Sequence, residues 1–151
     1  MDVIEFDRLM SEVGPLDDMI LACIKTPDGA YAVRFEDVDV LVERDGDRDR
    51  IALSVEIGAP PPSRALEVYE TLLSYNLLWR ETGGVRMALT GRKGSVVQFV
   101  DLTGSEINPR SIATVAANLA SLTEIWRAFL QSAGGDSAAP APIAAADFIR
   151  A

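Results

Sequence analysis

The chain has 151 residues, enough for one domain that buries about two thirds of its unfolded surface around a single core. Apolar residues make up 48% of it and aromatics only 7%, which indicates an aliphatic core with few large anchors. A formal charge of -9 sets the molecule as a whole against phosphate backbones and anionic lipid, so neither nucleic acid nor a membrane is expected as a partner.

The amino-terminal MDVIEFD has no basic region, and the longest apolar run, MILACI, is far too short to cross a bilayer. A soluble cytoplasmic protein is expected. The single cysteine, Cys23, lies among Ile20, Leu21, Ala22 and Ile24 and reads as an inert core thiol.

In chain order, VIEFDRLMSEV places Val3, Phe6, Leu9, Met10 and Val13 on one helical stripe, with Asp2 as N-cap and Gly14-Pro15 as the stop. MILACIKT reads as a short strand. Pro27-Asp28-Gly29 then turns the chain into AYAVRF, and VDVLVER follows. Asp45-Gly46 is a hairpin signal leading into IALSVEIG, and the alternating charges from Glu43 to Arg50 read as a solvated hairpin tip. APPPSRALEVYETLLSYN supplies a proline-stiffened entry, Ser63 as N-cap and a second helix to about Asn76. VRMALT and SVVQFVD are strands joined by GRKG. Asn108-Pro109 then opens a last helix to about Ala133, whose Ile112, Val115, Leu119, Leu122, Trp126 and Phe129 form one stripe. The Gly-, Ala- and Pro-rich residues 134–151 read as a mobile tail outside a domain of residues 1–133.

The second helix is apolar on too many sides. At 100° per residue, Leu66, Tyr69, Leu73 and Leu77 share one narrow face while Val68, Leu72 and Tyr75 form a second stripe, and together they span about 200°. A helix on one sheet needs about half of that. The second stripe, with Trp79 just beyond the helix, is therefore expected to be covered by a second copy of the chain, giving a homodimer interface of Val68, Leu72, Tyr75, Asn76 and Trp79. Asn76 caps the helix end or bonds across that interface. The competing reading closes the stripe within one chain, with the tail or the first helix.

There is no histidine, so the commonest general base and imidazole metal ligand are missing and Ser-His-Asp or Cys-His catalysis is excluded. GRKGS lacks the G-x-x-x-x-G-K-[ST] order, since Lys93 precedes Gly94, and reads as a turn. The aspartates at 37, 39, 45, 47 and 49 lack calcium-loop spacing. No metal, cofactor or catalytic residue is expected. A small enzyme built on carboxylates or Lys93 would need a closed polar pocket with perturbed pKa values.

PDGAYAVRFED, LLSYNLLWRETGGVRMALTGRKGSVVQFVDL and LTEIWRAFL, in that order in an acidic chain, resemble the class I type III secretion chaperones, the family typified by the chaperone of the translocated intimin receptor. Leu72, Leu73, Asn76, Gly83, Gly84, Gly94 and Trp126 stand at the places that carry the resemblance, which covers residues 3–131. It implies an α+β fold of helix, three strands, helix, two strands and helix, an antiparallel sheet packed against helices. It also implies a homodimer, no enzymatic activity, and two further partners: the extended amino-terminal segment of a secreted effector, and the secretion machinery. Phe6 and Leu9 of the first helix with Val33 and Phe35 of the neighbouring strand are the candidate cargo groove. The alternative is a regulatory or adaptor domain of the same fold that binds another protein and serves no secretion system. Lys25-Thr26-Pro27 and the tail depart from the family pattern.

Overall fold

Asp2 opens the first helix as expected. Its carboxylate accepts the Glu5 N–H at 2.8 Å while the Glu5 carboxylate accepts the Asp2 N–H at 2.8 Å, a reciprocal cap that starts α1 (Val3–Ser11). The structure, a computed structural model, describes residues 1–132; the tail expected over 134–151 and the domain end at 133 lie outside the described residues.

Six strands follow: β1 (Ala22–Lys25), β2 (Tyr31–Arg34), β3 (Asp39–Asp45), β4 (Arg50–Gly58), β5 (Arg86–Leu89) and β6 (Val96–Thr103). Four of them, not three, precede the second helix, because part of MILACIKT pairs in full register with β2, from Ala22 opposite Arg34 to Lys25 opposite Tyr31. All pairings are antiparallel, in the order β1-β2-β3-β4-β6-β5. Helix α2 (Ala65–Leu77) interrupts the meander between β4 and β5, so β6 takes the place beside β4 and the short β5 is left at the edge.

The GRKG turn between β5 and β6 closes with Gly94 N–H on the Gly91 carbonyl at 3.0 Å. A side chain at Gly94 would bring its Cβ within 2.9 Å of the Gly91 nitrogen, so only glycine fits there.

Ser63 does not cap α2. Residues 62–64 form a tight 3-10 turn, and Arg64 spends its guanidinium on tertiary contacts: Glu67 at 2.7 Å, the Phe129 carbonyl at 3.1 Å and the Ser132 carbonyl. This fastens the start of α2 to the end of α3 (Pro109–Gln131). Helix α3 begins as expected, with the Asn108 side chain accepting the Ser111 N–H at 2.9 Å and Pro109 next.

Alternation along the strands separates two sheet faces. Tyr31, Val33, Val40, Val42, Ile51, Leu53, Val55, Ile57, Val96, Val100 and Leu102 are buried on one face. The whole predicted stripe of α3, from Ile112 to Phe129, packs into that core. Trp126 anchors it, fully buried and edge-on to Tyr75 of α2 at 5.0 Å and Phe129 at 5.7 Å. Helix α1 adds Phe6 and Met10, and Asp7 ties it to the sheet by accepting from Lys25 Nζ at 2.7 Å and the Tyr31 hydroxyl at 3.0 Å.

Replacing Trp126 by Ala should cost about 3–5 kcal/mol, because the cavity would lie between α2 and α3 where neither helix can close in; urea unfolding monitored by circular dichroism measures it. A second test concerns pH. The Lys25 and then the Tyr31 hydrogen bonds hold the Asp7 carboxyl below the usual carboxylate range, so its stabilisation is present above its unfolded pKa of about 3.9 and is lost as pH falls through the lower folded value. The gap in unfolding midpoint between the wild type and Asp7→Asn should therefore be open at pH 7 and close in acid.

Candidate interaction surfaces

The two stripes of α2 are exchanged relative to the expectation. Val68, Leu72 and Tyr75 are buried within a single chain, at 0%, 5% and 4% exposure. Leu66, Leu73 and Leu77, expected against the sheet, are 72%, 71% and 81% exposed. The cause is α3: Trp126 meets the ring of Tyr75, so the Val68-Leu72-Tyr75 side must turn inward. Of the residues named for a dimer contact, Trp79 is half exposed and carries the Arg80 guanidinium over its ring at 5.1 Å. Asn76 neither caps α2 nor projects free. Its side chain accepts the Met87 N–H at 2.7 Å and donates to the Met87 carbonyl at 3.0 Å, joining α2 to the edge strand β5.

Beside that contact runs an apolar groove of about 380 Å³ lined by Tyr69, Leu72, Leu73, Met87 and Leu89. The exposed leucines of α2 continue it. One connected apolar surface therefore spans α2 and β5.

The cargo candidates divide as well. Phe6, Val33 and Phe35 are core residues at 1%, 0% and 5% exposure, since α1 must lie on the sheet and these side chains fill the space between. Leu9 alone stays partly open, in a groove of about 470 Å³ shared with Glu5, Glu12, Asp49 and Ile107. The surface that sequence reading missed is the other face of the sheet, which no described element covers. Register places Ile24, Ala32, Leu41, Ser54, Phe99 and Arg86 side by side across all six strands. Leu41 and Phe99 are only half-buried there, and Ile24 is 42% exposed. Val97 and Ala88 extend the apolar row on one side, and Glu43 and Asp101 bound it on the other. The signal was present in the sequence: strands that bury one face and meet solvent with the other normally carry charge along the outward phase, and here Ala32, Leu41, Ala52, Val97 and Phe99 interrupt the charges of Arg34, Asp39, Glu43, Glu56, Arg86 and Asp101 on that phase.

Several carboxyl groups are shifted by local hydrogen bonds. Asp7, Asp28, Asp39 and Glu67 are lowered chiefly by side-chain hydrogen bonds, from Lys25, Thr26, Arg34 and Arg64 respectively, and Asp45 chiefly by the Asp47 backbone N–H. In each case the hydrogen bond favours the charged form of the carboxyl group. Burial raises the Cys23 thiol and the Tyr75 phenol. Lys93 stands in the exposed hairpin turn, and no group of metal-ligating side chains occurs among the described residues. No described helix is long and apolar enough to cross a membrane.

The Tir chaperone protein (CesT) family profile matches residues 22–127, the stretch holding the sheet, α2 and most of α3. The chain belongs to that family. It is the class I type III secretion chaperone family that the residue pattern resembles. No curated protein matches the chain in sequence. Among solved structures, a chain of the ExsC–ExsE complex is 18% identical with a TM-score of 0.64, over 89% of this chain and 100% of that one. A chain of the HopA1–SchA chaperone–effector complex is 14% identical with a TM-score of 0.66, over 85% of this chain and 98% of that one. YbjN from E. coli is 16% identical with a TM-score of 0.52, over 86% and 90%. At these identities the likeness is one of fold.

Neighbouring leucines of α2 should respond oppositely to charge. Leu72→Glu buries a carboxylate in the core and should abolish cooperative unfolding, whereas Leu73→Glu, at a position exposed on the single chain, should keep a cooperative transition; thermal melts of both distinguish them.

Proposed function

We propose that the protein is a type III secretion chaperone that acts in the cytoplasm as a homodimer, holding the extended amino-terminal segment of a secreted effector soluble and competent for the secretion machinery. The observation that carries this reading, beside family membership, is the uncovered sheet face with its row of half-buried Leu41 and Phe99. Apolar surface left open on a domain that folds around a separate core is surface meant for contact. A non-native segment needs contacts that do not depend on its own tertiary fold, which an apolar sheet face and main-chain hydrogen bonding both provide. The acidic charge keeps such a surface soluble and favours segments carrying basic residues.

For the dimer, the contact lies on the stripe of α2 that stays exposed on a single chain. Leu66, Leu73 and Leu77 with the groove beside β5 form an apolar patch that a twofold contact would bury against itself.

Amino-terminal segments of the organism's secreted effectors, co-expressed one at a time with the chain, should include at least one that becomes soluble and copurifies. Phe99→Asp with Leu41→Asp should weaken that complex at least about tenfold while leaving the melting temperature of the free protein nearly unchanged. If no segment copurifies but a folded regulatory protein does, the adaptor reading replaces this one. For the dimer, light scattering should give twice 16.3 kDa for the wild type and 16.3 kDa for Leu73→Glu with Leu77→Glu.

A further inference from the structure

The sheet ends in two edge strands, and the two edges differ. In an antiparallel ladder the N–H and C=O of alternate residues face the neighbouring strand and those between them face outward. Thr90 N–H donates to the Ser95 carbonyl at 2.9 Å, one step beyond the Leu89–Val96 pair, so Arg86, Ala88 and Thr90 face β6 while Val85, Met87 and Leu89 face outward. Outward groups of this kind are a template for another strand.

On β5 that template is already filled at Met87 and at Val85 just before the strand, which leaves Leu89 at its far end. The Asn76 carboxamide accepts the Met87 N–H at 2.7 Å and donates to the Met87 carbonyl at 3.0 Å, standing where the peptide group of an added strand would stand. Two residues earlier, Val85 N–H donates to the Thr82 carbonyl at 3.3 Å and the Thr82 hydroxyl donates to the Val85 carbonyl at 3.2 Å. Thr82 is only 1% exposed, so this polar side chain is placed for that bond and not for solvent.

The β1 edge is different. Thr26 N–H donates to the Ala30 carbonyl at 2.9 Å, which fixes the phase: Ala22 and Ile24 face β2, and Cys23 and Lys25 face outward. Among the described residues no hydrogen-bond partner occupies those outward backbone groups. Exposed Met19, Leu21 and Ile24 flank them, and Ile24 begins the apolar row across the open face.

We propose that Asn76 and Thr82 seal the β5 edge against strand addition, so that an extended partner segment joining the sheet is confined to the β1 edge. With both edges open, copies of the chain could join edge to edge into a growing sheet; with one sealed, addition stops at a single strand. The statement about the partner segment rests on the chaperone reading above. The sealing of β5 does not.

Amide hydrogen exchange followed by NMR on the full chain tests the sealing. In the wild type, Val85 and Met87 should exchange at least about tenfold more slowly than Cys23 and Lys25. Asn76→Leu should bring Met87 to the fast class and leave Val85 slow, and Asn76→Leu with Thr82→Val should associate further with concentration in sedimentation velocity. Unchanged Met87 protection in Asn76→Leu, or Cys23 and Lys25 as slow as Met87 in the wild type, would overturn the proposal. Should the variant lose its fold, a through-hydrogen-bond coupling between the Met87 amide nitrogen and Asn76 Cγ in the wild type decides, and its absence counts against sealing. Addition of an effector segment that copurifies should slow Cys23 and Lys25. Binding that protects neither refutes confinement to β1 alone, while failure of every segment to bind refutes the chaperone reading and leaves the exchange results standing.

Discussion

The packing of α3 on β4 and β6 through Trp126 is the contact on which the rest of the molecule depends. Trp126 is fully buried and meets Tyr75 and Phe129 edge to face, so one side chain joins two helices over the sheet. The large apolar area of an aromatic anchor makes this arrangement costly to rearrange. It determines which side of α2 turns inward, and hence that Leu66, Leu73 and Leu77 are the apolar residues left outside. Arg64 reinforces it from the other end by bonding the last carbonyls of α3 from the start of α2.

Because all three helices pack on one side, the sheet keeps an uncovered face. A two-layer domain of this size can satisfy its core with a single layer of helices, and the remaining face is then free to be polar or to serve contact. Here the outward phase of five strands holds Ile24, Ala32, Leu41, Phe99 and Ala88, with charged residues of both signs around them, among them Arg34, Asp39, Arg86 and Asp101. Core and open surface are thus divided between two faces of the same strands. Leu41 and Phe99 are half-buried on the open face, and Leu53 and Val100, on the other face, are core.

The polar side chains follow the same economy. Asp7, Asp39 and Glu67 are held as anions by basic partners, and they orient α1, the β2–β3 turn and the start of α2 without storing a mobile proton. The Asn76 side chain supplies both hydrogen bonds that a neighbouring strand would otherwise supply to Met87 of β5, and the Thr82 hydroxyl supplies one to the Val85 carbonyl just before the strand. These are bonds to backbone, and an unmade bond to a half-buried backbone group is more costly than the net value of the bond itself.

Much of the fold was legible in the sequence. The caps at Asp2 and Asn108, the hairpin at Asp45-Gly46, the stripe of α3 and the strand runs are local signals, set by turn chemistry and period, and they hold. The order of quoted motifs and the acidic balance also pointed to the family. What local pattern left open was orientation. Two apolar stripes on α2 are equivalent to any rule based on spacing, and only the arrival of Trp126 from a helix some fifty residues later chooses between them. The same holds for Phe6, Val33 and Phe35, whose apolar character fits core and groove alike until α1 is seen lying on them. The sequence by itself determined the elements, their order and the family; the tertiary structure decided which apolar surface is core and which is left outside it, because burial is a property of what packs against a residue and not of the residue.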